Sequence, residues 1–190
     1  MPAVVIDHIF ERSKQMNTMG KERSSAIKSV MEATADVVTR NPAAAVAQFA
    51  ADSDLIGTCE VAVQIGDKMV KVDEPESLGG SGRAPNPVEY ALGSLGSCQA
   101  ITYRFWSEKL GIHIDKLRVE VRGDLDVRGV FGIQNGVRPG FGKVDVKVHL
   151  TGPESPERYE ELRRAVDTHC PVLDIFANAV PVRTHLAAAD

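Results

Sequence analysis

Two cysteines stand in settings that suit thiol chemistry: Cys98, closing Asn86-Pro-Val-Glu-Tyr-Ala-Leu-Gly-Ser-Leu-Gly-Ser-Cys, and Cys170, in His169-Cys-Pro-Val. A thiol reacts as its thiolate, which nearby positive charge or helix N-terminal N–H groups favour and apolar burial disfavours. Cys170 precedes a proline at the first position of a helix, which puts it at or near the N-cap, facing unpaired backbone N–H groups. His169 beside it adds positive charge when protonated. The competing reading of Cys170 is a residue that merely caps or packs. Cys98 falls well inside an apolar helix, so a reactive Cys98 needs a cation close by. Its neighbours Gly93, Ser94, Gly96 and Ser97 are poor helix residues, and each interior glycine costs about 1 kcal/mol relative to alanine. Either a second backbone packs closely there, or the small side chains leave room beside the sulfur for a ligand. A thiol deep in one helix and another at a helix start form a candidate nucleophile-and-resolver pair.

Composition narrows the classes. The 190 residues suffice for one ordinary core with a possible appendage. A 43% apolar, 25% charged chain of net charge −4 reads as globular and offers no nucleic-acid surface. No apolar run is long enough to span a bilayer. Met1 to Arg12 carries Asp7 and Glu11 and lacks the basic-then-apolar order of a signal peptide, so a cytoplasmic location is expected. Cys59, Cys98 and Cys170 have no metal-type spacing, and His8, His113, His149, His169 and His185 show neither H-x-x-x-H nor H-E-x-x-H. Gly79-Gly-Ser-Gly-Arg lacks the ending of a phosphate-binding loop, and Gly-Ser-Leu-Gly-Ser lies mid-helix rather than in a strand-turn-helix elbow. No metal or cofactor is expected.

These residues need elements to position them. Residues 1–54 read as a helical N-terminal extension. Ser25 is placed as the cap of a helix with apolar Ile27, Val30, Met31, Val37 and Val38, and Asn41-Pro42 as the start of a second helix to about Ala50. Residues 55–190 form the main domain. Cys59 to Ile65 alternates, Gly66-Asp67 turns, and Lys68 to Val72 returns, which predicts a hairpin with Cys59 on its apolar face. Pro75 to Pro85 reads as a loop, and Asn86 to about Leu110 as one long helix ended by Gly111. Leu117 to Val121 and Lys143 to Leu150 alternate as half-buried strands around a turn-rich excursion. Ser155-Pro156 and Cys170-Pro171 open two further helices, and Val180 to Leu186 is a candidate last strand. The order predicts an α+β fold, with antiparallel sheets wrapped around a long central helix.

Gly79-Gly-Ser-Gly, Asn86-Pro-x-Glu89, Leu-Gly-Ser-Cys98, Gly111-Ile and Cys170-Pro-Val occur in an order that resembles the osmotically inducible protein C and organic hydroperoxide resistance (OsmC/Ohr) superfamily. The resemblance covers roughly Leu55 to Leu186. It implies an intertwined homodimer with interfacial active sites and thiol-dependent reduction of organic or hydrogen peroxides. Carried over, Cys98 attacks the peroxide, Cys170 condenses with the resulting sulfenic acid, and an external dithiol reduces the disulfide. The family's peroxidases also carry a Glu ten residues before the first cysteine and an activating Arg near the N-terminal hairpin. Here Glu89 stands nine residues before Cys98, with a capping box to Asn86 as its structural alternative. The hairpin has Lys68 and Lys71 but no Arg, so Arg83 in the glycine-rich loop is the candidate substitute, with Arg104 behind it. The P-x-Glu variant resembles a less-characterised branch. It leaves open a non-peroxidase that binds an apolar small molecule beside Cys98, or a redox sensor; a cysteine hydrolase finds no Cys-His-Asn/Asp constellation.

Overall fold

The computed structural model describes residues 16–187 and has the expected α+β architecture: a long helix against antiparallel sheets. Helix α1 (Met16–Arg40) runs straight through Ser25 rather than starting there. Serine costs a helix interior only a few tenths of a kcal/mol, and Lys, Glu, Arg and Ala around it are strong helix formers. The helix expected from Asn41 to Ala50 is only a 3-10 turn at Pro42–Ala45. Val46 and Phe49 stay 86% and 92% exposed, so no tertiary contact supports a segment too short to be helical alone. The expectation for Met1 to Arg12 lies outside the described residues.

Strands β1 (Ala51–Leu55), β2 (Val61–Ile65) and β3 (Lys68–Val72) form an antiparallel meander, with Ser53 and Val70 on either side of Val63. The β2–β3 hairpin turns on Gly66 at φ 58°, a conformation glycine adopts at no steric cost. Cys59 sits half-buried in the bend before β2, because that strand begins at Val61 and not at residue 59. The following loop is organised by the buried carboxylate of Asp73. It accepts hydrogen bonds from the Glu74 N–H (2.9 Å), the Ser81 N–H (3.1 Å) and hydroxyl (2.5 Å), and the Arg83 N–H (3.2 Å). These bonds, the Ser81 hydroxyl foremost, hold the carboxyl below its ordinary range against the opposing effect of burial.

Helix α2 (Pro87–Leu110) is the spine. Its buried residues Leu95, Gln99, Thr102, Tyr103 and Ser107 follow the spacing of a single helical face. Strand β4 (Lys116–Leu125) pairs antiparallel with β5 (Phe141–Thr151), Val119 opposite Val148, and α2 packs on β4. Between the strands Asp126 caps a one-turn helix, α3 (Val127–Val130). Helices α4 (Pro156–His169, capped by Ser155) and α5 (Pro171–Ala177) close over α2. The core gathers Tyr103, Ile112, Leu162, Val166 and Cys170, with Cys98, Trp106, Leu117, Val148 and Leu173 packed against it. The expected strand at Val180–Leu186 is not formed: the segment has no regular structure and no ladder partner among the described residues, with Val182 and Leu186 exposed. Alternation alone cannot make a strand without a ladder partner. Among the described residues no helix is long and apolar enough to cross a membrane.

Candidate functional site

The start of α2 is fixed locally. Asn86 Oδ1 accepts from the Glu89 N–H at 2.8 Å while the Glu89 carboxylate accepts from the Asn86 N–H at 2.9 Å, a complete capping box with Pro87 at the first turn. Gly111 ends the helix at φ 63°. Between these stops Cys98 and Thr102 lie one turn apart on the same face, and the Thr102 hydroxyl donates to the Cys98 carbonyl at 2.8 Å.

Cys170 sits at the joint of two helices. Its N–H donates to the Val166 carbonyl (2.9 Å), closing α4, and its carbonyl accepts from the Asp174 N–H (3.0 Å), opening α5. Both helices rest on α2, and this brings the Cys170 sulfur to 3.4 Å from the Cys98 sulfur, 72 residues away in sequence. Cys170 is 1% exposed and Cys98 half-buried. Burial pushes the Cys170 thiol up, the neighbouring Cys98 adds to that, and the hydrogen bond from the Leu173 N–H draws it back. Both cysteines are free thiols, and the Cys170 S–H donates to the Cys98 sulfur.

The two glycines before Cys98 have different surroundings. A Cβ on Gly96 would come within 3.2 Å of a Val121 methyl, so this glycine lets α2 lie close on β4. A Cβ on Gly93 would meet nothing within 4 Å. Close packing accounts for Gly96 only.

None of the remaining candidates hydrogen-bonds either sulfur. The Glu89 carboxylate closes the capping box. Arg83 is exposed, and its bond to the loop is made by its backbone N–H on Asp73. Lys68 pairs with Asp67 and Lys71 with Glu60, each at 2.6 Å, and Arg104 pairs with Glu108 at 2.9 Å. Among the described residues no cationic side chain hydrogen-bonds either thiol. The His169 ring lies against Trp106, centroids 4.2 Å apart and planes tilted by 35°, and its Nδ1 lies 2.8 Å from the Ala165 carbonyl. Lys109 Nζ lies over the Trp106 ring, 4.2 Å from its centroid. No group of three or more His, Cys, Asp or Glu side chains could hold a metal ion among the described residues.

Sequence reasoning missed Thr102 and Gln99. Thr102 was signalled by its spacing of four from Cys98. Gln99 had no signal, since a glutamine in an apolar helix reads as a solvated position until the packing around it is known.

An OsmC-like protein family model matches residues 80–185. A Bacillus subtilis relative, the uncharacterized protein YmaD, is 30% identical over 70 residues, which are 36% of this chain and 47% of that protein. The match therefore spans about half the length of that curated relative. Among solved structures, an OsmC-like protein from Mycoplasma pneumoniae superposes with TM-score 0.60 at 17% identity, over 69% of this chain and 88% of that one. An organic hydroperoxide resistance protein OsmC from Legionella pneumophila gives TM-score 0.53 at 20% identity, over 69% and 90%. At such identities these likenesses concern the fold.

Proposed function

This chain belongs to the OsmC-like protein family, and we propose that it is a thiol-dependent peroxidase reducing organic or hydrogen peroxides through Cys98 and Cys170. The observation that carries the reading is the 3.4 Å separation of two reduced sulfurs held by separate, mutually packed helices. In the first step the Cys98 thiolate attacks one peroxide oxygen. The O–O bond breaks, Cys98 becomes a sulfenic acid, and the other oxygen leaves as alcohol or water after taking a proton. The Cys170 sulfur then attacks the sulfenic sulfur, forming the disulfide and expelling water. An external dithiol supplies two electrons and two protons to restore both thiols. Cys98 is assigned the attack because it is the less buried sulfur and the one that accepts the Cys170 S–H.

Glu89 and Arg83 enter this reading only through the resemblance: the Glu89 carboxylate closes the capping box, and Arg83 stands on a loop whose backbone Asp73 anchors. A homodimer also belongs to it. Ile101 and Phe105, one turn apart on α2, are 55% and 43% exposed, an apolar pair that a second copy would bury. Residues 1–54 serve as the extension, with β1 tying it to the sheet of the main domain. A cytoplasmic setting with a dithiol reductant completes the scheme.

The test is to add equimolar cumene hydroperoxide and count free thiols in wild type, Cys98→Ser and Cys170→Ser. Two thiols should vanish promptly in the wild type and none in Cys98→Ser. Thiols that stay reduced in the wild type would remove the peroxidase reading and leave the small-molecule binder in its place.

A further inference from the structure

A cavity of about 400 Å³ lies beside the thiol pair, on a different face of α2. Gln99 and Tyr103 of α2, Val144, Val146 and Val148 of β5, and Leu173 of α5 line it. Gln99 follows Cys98 in the chain, so its side chain leaves the helix about 100° around from the sulfur. It is 1% exposed, and its amide Nε2 has no hydrogen-bond partner. Buried amide donors are almost always paired, and one left unpaired in a residue that lines a cavity calls for an acceptor brought from outside. The space is far larger than the roughly 30 Å³ that one water occupies.

The lining says what that acceptor belongs to. Three valines from one strand make an apolar wall. Asp167 and Asp174 stand at the polar side, and Arg163 there is already paired with Glu160 (2.7 Å) and Asp167. A carboxylate ligand would meet two acidic groups and no free cation. The geometry points to a binding site for a neutral, largely apolar small molecule carrying one carbonyl-type oxygen, which accepts from Gln99 Nε2 while its body lies on Val144, Val146 and Val148. The site is separate from the thiol chemistry and stands whether or not the peroxidase reading does.

The probe is prodan, a neutral naphthalene ketone whose emission shifts to the blue in apolar surroundings. Titrated into the full-length protein, it should bind saturably with blue-shifted emission, one molecule per chain. Gln99→Leu keeps the size and removes the donor, so it should weaken binding roughly three- to tenfold. Val146→Trp fills the cavity and should abolish binding, while Cys98→Ser should bind as the wild type does. In the wild type, prodan should also move the side-chain NH₂ cross-peaks of Gln99 in a ¹H–¹⁵N spectrum, a readout independent of any variant's folding. Absence of saturable binding, equal affinity in Gln99→Leu or Val146→Trp, loss of binding in Cys98→Ser, or unmoved Gln99 cross-peaks would each overturn the assignment.

Discussion

Oxidation of Cys98 and Cys170 should stabilise the fold by an amount that the topology sets. The two residues are 72 apart in sequence, and cross-linking them removes the entropy of that loop from the unfolded chain. The chain-entropy relation gives about 4 kcal/mol for a loop of this size. The native state has little to rearrange: the sulfurs start 3.4 Å apart and must reach roughly 2.05 Å, a closure of about 1.4 Å. Rotation about the two Cα–Cβ bonds and a slight shift of α5 can supply that movement, so strain should subtract only a part of the gain. For a chain of this length, 4 kcal/mol corresponds to roughly 8–16 °C in melting temperature. The measurement is urea and thermal unfolding in a Cys59→Ser background, oxidised with one equivalent of cumene hydroperoxide or reduced with phosphine, at one protein concentration. Peptide mapping of the oxidised sample should find the Cys98–Cys170 bridge. An oxidised protein that has lost two thiols yet melts at or below the reduced one would refute the reasoning. The cross-link would then be intermolecular, or the native geometry would not accept it.

Tyr103 supplies a pH prediction: burial, with Asp167 adding to it, pushes its hydroxyl up to about 12. An acid that is harder to ionise when folded favours the unfolded state once that state ionises, so stability should be lost as pH rises from about 10 towards 12. The wild-type-minus-Tyr103→Phe absorbance at 295 nm should show a transition near 12, and one near 10 would refute the shift. Gly80→Ala would place a Cβ 1.8 Å from the Glu74 carbonyl oxygen, in the loop that Asp73 organises. It should cost about 2–3 kcal/mol, and an unchanged melting temperature would show that the loop gives way freely. Asn86→Ala removes one half of the capping box and should cost about 1 kcal/mol. Glu89→Gln keeps the box and should leave the rate of peroxide-driven thiol loss unchanged; a tenfold slower rate would instead give that carboxylate a part in the chemistry.

Local signals in the chain determined much of this protein. Asn86-Pro87 and Gly111 set the ends of α2, Ser155 and Cys170-Pro171 set the starts of α4 and α5, and Gly66-Asp67 set the hairpin, because caps and turns are satisfied by atoms a few residues away. The motif order around Cys98 and Cys170 was enough to recognise the family. Tertiary structure decided the rest. Ser25 lies inside a helix because strong helix formers flank it, and Pro42–Ala45 makes only a turn because no tertiary contact supports a longer helix there. Val180 to Leu186 alternates like a strand but has no neighbour to pair with among the described residues. The 3.4 Å meeting of the sulfurs and the open amide of Gln99 depend on α4, α5 and β5 being laid against α2. Those placements follow from burial summed over residues far apart in the chain, and no short window of sequence contains that sum.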